Sequence, residues 1–190
     1  MSVVGTTKMT ARQFLMLGDD PPGVRLELVD GEIVVSPSPR PDHSYVDRML
    51  THILLSHILP RKLGVLIGDV DTIFGEYDVR RPDLIYFTKE REHLVKPHEA
   101  LDGPPDLCIE IIGPSSGRTD RKKKFKLYAE SGVRIYWIAD PAKRTIEGYR
   151  LVGSKYHLEA KGTGNDVVTL PPFSELKIKL GQLWLPEQHA

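Results

Sequence analysis

Asp83, Glu110 and Lys124 are the residues of this 190-residue chain whose types and surroundings best fit catalytic work. Asp83 stands at the mouth of an apolar run, Pro82-Asp83-Leu84-Ile85-Tyr86-Phe87. Taken alone, an Asp at a strand start is often a turn residue. Glu110 interrupts Asp106-Leu107-Cys108-Ile109-Glu110-Ile111-Ile112, which reads as a strand buried on both faces. A carboxylate there needs a cation, a partner or a proton, because an unpaired buried charge is costly. The alternative is an edge strand with Glu110 facing water. The third group is Thr119-Asp120-Arg121-Lys122-Lys123-Lys124-Phe125-Lys126-Leu127-Tyr128, where Arg118 to Lys126 holds six basic residues and one acid. A charge run on a helix is ordinarily a solvated face. Here, however, Asp120, Lys124 and Tyr128 recur every four residues and share one face, with Lys124 between a carboxylate and an aromatic ring.

Two carboxylates on adjacent strands with a nearby lysine are what metal-assisted phosphodiester hydrolysis requires. The carboxylates offer hard oxygen ligands for Mg²⁺ (or Mn²⁺). The metal acidifies a bound water and neutralises developing phosphate charge, and the lysine positions the water or stabilises the transition state. Asp83 and Glu110 are thus the expected metal ligands. The other basic residues of the run, Arg118, Arg121, Lys122, Lys123 and Lys126, suit contacts to a phosphate backbone.

The elements that must position these groups are legible in outline. Thr10 caps a short helix through Leu17, which the Gly18-Asp19-Asp20-Pro21-Pro22-Gly23 run breaks. Arg25 to Val29, the turn Asp30-Gly31 and Glu32 to Val35 read as a hairpin. From Pro41-Asp42-His43, the residues Val46, Met49, Leu50, Ile53, Leu54 and Ile58 recur at helical steps until Pro60. Val65 to Phe74, Asp83 to Phe87 and Leu107 to Ile112 read as strands. A helix over Thr119 to Ser131, stopped by Gly132, follows. Strands over Ile135 to Ala139, Thr145 to Leu151 and Tyr156 to Ala160 complete the chain. The spacing predicts an α/β sandwich around a single mixed sheet, in one domain.

Composition narrows the function classes. Basic and acidic residues number 26 each, so a chain-wide basic field for nucleic acid is absent and any such surface must be local. The lone Cys108 excludes an intrachain disulfide and reads as a small buried hydrophobe. No segment approaches the roughly 18 apolar residues of a membrane span and no signal peptide is evident, so the expectation is a cytoplasmic protein. Gly113-Pro114-Ser115-Ser116-Gly117-Arg118-Thr119 lacks the Lys-Ser/Thr ending of a nucleotide-binding loop. His52 and His57 lack the spacing of a zinc pair. Asp78 and Asp106 are rival carboxylates, but Asp106 lies about 13 Å from Glu110 at strand rise.

The chain also resembles a known group. Glu27-Leu28-Val29-Asp30-Gly31-Glu32, Arg81-Pro82-Asp83-Leu84, Ile109-Glu110-Ile111-Ile112-Gly113-Pro114-Ser115-Ser116, Asp120-x3-Lys124-x3-Tyr128-Ala129-Glu130-Ser131-Gly132-Val133 and Tyr136-Trp137-Ile138-Ala139-Asp140-Pro141 carry the likeness. They are similar to the putative restriction endonuclease family of cyanobacteria and other bacteria, within the PD-(D/E)xK nuclease superfamily. The resemblance spans about residues 10–185 and implies a restriction-endonuclease-like core, a mixed β-sheet flanked by helices. It further implies divalent-metal dependence, DNA as substrate, and Glu27 and His43 as additional site residues. Glu27 faces either the site or water, and His43 is either a site or a capping residue. One departure stands out: the superfamily lysine belongs two residues after the motif Glu, where this chain has Ile112. The family supplies it from the following helix, at the position of Lys124, with Lys126 as fallback. The reading is a DNA endonuclease suited to a homodimer; its rival is an inactive nucleic-acid-binding or assembly module on the same fold.

Overall fold

The computed structural model describes residues 8–36, 38–113 and 118–186, with only the backbone of 118–121. In chain order the strands are β1 (Arg25–Val29), β2 (Glu32–Ser36), β3 (Gly64–Ile67), β4 (Thr72–Gly75), β5 (Asp78–Arg80), β6 (Leu84–Thr88) and β7 (Leu101–Asp102). They continue as β8 (Leu107–Ile111), β9 (Ile135–Asp140), β10 (Thr145–Val152), β11 (Lys155–Thr163), β12 (Val167–Val168) and β13 (Ile178–Lys179). The α-helices are α1 (Ala11–Leu15), α2 (Pro41–Arg61) and α3 (Arg118–Glu130).

The largest sheet has the order β11-β10-β9-β8-β6-β3. Strands β8 and β9 run parallel across α3, and their neighbours pair antiparallel, so the sheet is mixed. Side chains alternate along β6, β8 and β9. Leu84, Tyr86, Leu107, Ile109, Ile135 and Trp137 pack with Val46, Leu50, Leu54 and Ile58 of α2 on one face. Ile85, Phe87, Cys108, Tyr136 and Ile138 pack with Tyr128 of α3 on the other. Both faces are covered, which is why these strands read as continuous apolar runs rather than alternating ones.

The single sheet expected from the sequence is corrected to three among the described residues. A second sheet, β2-β1-β5-β4-β7, packs its own small core of Ala11, Phe14, Leu28 and Val79, and β12 pairs with β13. The apolar stretch Val65 to Phe74, read as one strand, is cut in two. β3 belongs to the large sheet and β4 to the second, with the left-handed Asp69 (φ 57°) between them. Apolar periodicity carries no mark of a chain changing sheets, and β5 and β7 are too short to show a period.

Local signals explain the remaining boundaries. Thr10 and Gln13 close a capping box on α1. Helix α1 ends at Leu15 rather than Leu17, leaving Met16 and Leu17 exposed. Pro41 opens α2, which carries Pro60 in its last turn and stops at the left-handed Lys62 (φ 52°). Asp30 (φ 52°) and Gly31 (φ 82°) form the β1–β2 turn.

Gly68 marks a close approach between the end of β3 and the segment entering β6. A Cβ there would lie 2.2 Å from the Asp83 carbonyl oxygen, so backbone would have to move. Gly68→Ala is expected to cost about 1–3 kcal/mol in urea unfolding. Leu158→Ala, on a side chain 53% exposed, should change the midpoint little. Equal midpoints for both would show that the two segments separate without strain.

Candidate active site

Asp83 and Glu110 meet through strand register. Antiparallel pairing sets Leu84 opposite Ile109 and Ile85 opposite Cys108. Continued by one residue, it sets Asp83 opposite Glu110, and such cross-strand neighbours point to one face with Cβ atoms about 4.5–5.5 Å apart. The backbone agrees, since the Ile111 N–H donates to Asp83 Oδ2 at 2.7 Å.

Glu110 shares the α3 side of β8 with Cys108. It is not at a watery edge: the residue is 8% exposed. Lys124 Nζ donates to its Oε2 at 2.7 Å and the Tyr128 hydroxyl to its Oε1 at 2.5 Å. Both donors come from α3, four residues apart, as the helical spacing requires. Burial pushes the Glu110 carboxyl up to about 7; the Asp83 charge adds to that push, and Lys124 and Tyr128 oppose it. Burial likewise drives the Tyr128 hydroxyl upward, with Glu110 adding to the effect.

Lys124 therefore occupies the neighbourhood that Ile112 leaves uncharged. The fallback, Lys126, lies 3.7 Å from Glu130 with its side chain 75% exposed. Lys122 is also exposed. The side chains of Arg118, Asp120 and Arg121 lie outside the described residues, so their expected roles have no geometry here.

His43, in the first turn of α2, reaches the other carboxylate: its Nε2 is 3.2 Å from Asp83 Oδ1. Burial alone would lower its pKa, but the hydrogen bond and charge of Asp83, with Asp47 and Glu110, outweigh it and raise the value. Its buried Nδ1 has no hydrogen-bond partner among the described residues. Asp47, one helical turn on, has its carboxyl raised by burial and then by Asp83. Sequence reasoning passed over Asp47, although its four-residue spacing from His43 was visible. A cleft of about 270 Å³ opens beside these groups, between the start of α2, the end of β3 and Asp83.

Glu27 is buried and turned toward the chain that carries Asp83. Its Oε1 accepts the Arg81 N–H at 2.9 Å and its Oε2 accepts the Ser36 hydroxyl at 3.3 Å. It thus contacts backbone two residues before Asp83. Arg81 itself is gripped from further sides. Arg25 Nη2 donates to its carbonyl at 2.8 Å, and its guanidinium binds Asp71, at 2.6 and 3.2 Å, and Asp20. Nothing in the local sequence distinguishes these arginines and aspartates from surface charges.

The rival carboxylates serve elsewhere. Asp106 is buried, accepting the Thr88 N–H at 2.9 Å and an Arg91 hydrogen bond at 2.8 Å. Asp78 accepts the Asp30 N–H at 3.1 Å and pairs with Arg80. Cys108 is fully buried, as expected. Among the described residues no three His, Cys, Asp or Glu side chains are arranged to hold a metal ion by themselves.

Comparison with known proteins follows this geometry. The chain is similar to the crystal structure of a putative nuclease from Anabaena variabilis, with a TM-score of 0.74 and 23% sequence identity. The likeness covers 93% of this chain and 97% of that one, and at this identity it establishes the fold. No curated protein matches the chain. Residues 11–181 match the Uma2 family, described as putative restriction endonuclease. With that much of its length matched, the chain belongs to the Uma2 family of putative restriction endonucleases.

Proposed function

We propose that the chain is a divalent-metal-dependent nuclease that hydrolyses phosphodiester bonds in DNA. The observation that carries this is the juxtaposition of Asp83, whose Oδ2 accepts the Ile111 N–H at 2.7 Å, with Glu110 of the same strand as Ile111, whose Oε2 lies 2.7 Å from Lys124 Nζ. The family description and the fold support it.

The donor set suits Mg²⁺ or Mn²⁺. Two carboxylates offer hard oxygens, and Mg²⁺ is commonly held by one or two carboxylates plus waters and substrate phosphate. Among the described residues no three His, Cys, Asp or Glu side chains converge in the manner of a closed structural zinc site. Each carboxylate oxygen that accepts a hydrogen bond keeps a second lone pair for coordination. Asp83 and Glu110 would hold the ion, which supplies positive charge and an acidified water.

The chain's own residues do the rest. Lys124 brings an ammonium beside Glu110, where it can meet the growing negative charge of the phosphate. Tyr128 fixes the Glu110 carboxylate from the other oxygen. His43 and the Ile111 N–H orient Asp83, so His43 acts as a positioning residue, and Glu27 does the same at one remove through Arg81. Lys122, Lys126, Arg118 and Arg121 are the proposed backbone contacts. An inactive binding module is the second reading. The observation favouring it is that Lys124 and Tyr128 already engage both Glu110 oxygens.

Plasmid DNA should be cut in Mg²⁺ or Mn²⁺ and spared with chelator. Lys124→Ala should slow cleavage about 10²–10³-fold and His43→Ala about 10–100-fold, with Asp83→Asn and Glu110→Gln abolishing it. Cleavage indifferent to these substitutions overturns the site. Metal binding without cleavage of any nucleic acid favours the inactive module.

A second expectation concerns stability in the absence of metal. The folded chain holds the Glu110 proton up to about 7, against an ordinary 4.5, so ionising it as pH rises through that window costs stability. At about 1.4 kcal/mol per pKa unit the loss is on the order of 3 kcal/mol. The raised pKa of His43 acts in the same direction, its contribution being lost as pH climbs past that value. Thermal unfolding should therefore show wild type losing more stability than Glu110→Gln between mildly acidic and mildly basic pH. Equal slopes would show that charging Glu110 costs the fold nothing.

A further inference from the structure

Strand β2 is the outer strand of the second sheet, hydrogen-bonded to β1 on one side. Its sequence is Glu32-Ile33-Val34-Val35-Ser36, and Ile33, Val34 and Val35 are 43%, 41% and 62% exposed. Among the described residues no strand pairs with the outer edge of β2, and three successive apolar residues there expose apolar surface on both faces and a row of backbone donors and acceptors. Such an edge invites pairing with another strand. The contrast with β11, an edge of the large sheet, is direct: there Lys155, Glu159 and Lys161 are exposed along the strand. The apolar patch also extends inward. Val35 lies opposite Leu26, and Leu26 shares a small cavity with Leu17, itself 55% exposed.

We propose that β2 pairs antiparallel with β2 of a second copy of this chain, across a two-fold axis at Val34, joining the two second sheets into one. The strand is self-complementary in that register. Ile33 faces Val35 and Glu32 faces Ser36, so apolar meets apolar and no charge opposes its like. The pairing also closes on itself. It uses each copy's β2 edge, the sheet's other edge, β7, has only two residues, and prolines at 37, 39 and 41 prevent the paired edge from lengthening. A two-chain assembly therefore fits better than a fibre.

The contact reaches toward the candidate site. Ser36 ends β2 and donates to Glu27, whose other oxygen holds the Arg81 N–H beside Pro82 and Asp83. Pairing β2 would brace this chain of contacts in both copies. The pairing does not rest on the nuclease reading; its consequence, two clefts related by a two-fold axis as cutting both strands of a duplex would use, does.

The test is the mass of the full chain in solution. Light scattering coupled to size exclusion should give twice 21.4 kDa for wild type. Val34→Lys should give the single-chain mass, and its unfolding temperature should lose the concentration dependence that a dimeric wild type shows. Under mild oxidation Val34→Cys should yield a disulfide-linked dimer, whereas Leu158→Cys, on the β11 edge, should not; the native Cys108 is buried and silent. A monomeric wild type, a dimer untouched by Val34→Lys, or equal cross-linking at both positions overturns the proposal. Should Val34→Lys fail to fold, the cross-linking pair decides. None of these readouts involves cleavage, so failure here leaves the nuclease reading to its own assay.

Discussion

Placing the Glu110 carboxylate among apolar side chains at the end of β8 would cost several kcal/mol if nothing met its charge. Much of the arrangement around it answers that cost. Lys124 and Tyr128 come from α3 to take one oxygen each, which fixes the rotation of that helix against the sheet. The parallel β8–α3–β9 crossover is the connection that lays the helix over the strand. The compensation is incomplete, because burial and the nearby Asp83 still leave the carboxyl raised toward neutrality. A site with surplus negative charge and few solvent contacts is one that gains from a cation.

Asp83 depends on a different kind of support. It sits just before β6 rather than within it, where the chain passes from the second sheet to the large one. Little backbone pairing holds this junction beyond the Asp69 N–H donating to the Pro82 carbonyl at 3.3 Å. Glu27, Arg25, Asp71 and Asp20 supply the missing constraints by gripping Arg81, and Gly68 lets the neighbouring backbone come close enough to seal the segment. The second sheet is thus more than an appendage, since its β1 strand carries both Glu27 and Arg25.

The displaced lysine follows from the same packing. A lysine at position 112 would sit just past the end of β8, on the same face as Glu110. Ile112 instead is half-buried and packs with the core on the α3 side of the sheet. The positive charge comes from the helix overhead, which reaches Glu110 without spending a strand position on a long polar side chain. His43 approaches Asp83 from the start of α2, so the two helices address separate carboxylates.

By itself the sequence determined the hairpin, the three helices, most strands of the large sheet, and the two carboxylates that interrupt or introduce apolar runs. These are local matters: periodicity, capping and turn residues act over a few positions, and a Glu inside an apolar strand is conspicuous wherever the strand goes. The four-residue spacing of Lys124 and Tyr128 was legible for the same reason. The break at Gly68 to Asp71, the existence of a second sheet, and the roles of Glu27, Asp47 and Arg81 were decided only by tertiary structure. Each depends on which strands become neighbours, and hydrogen bonds spanning fifty or more residues, such as Glu27 to Arg81, leave no periodic trace along the chain.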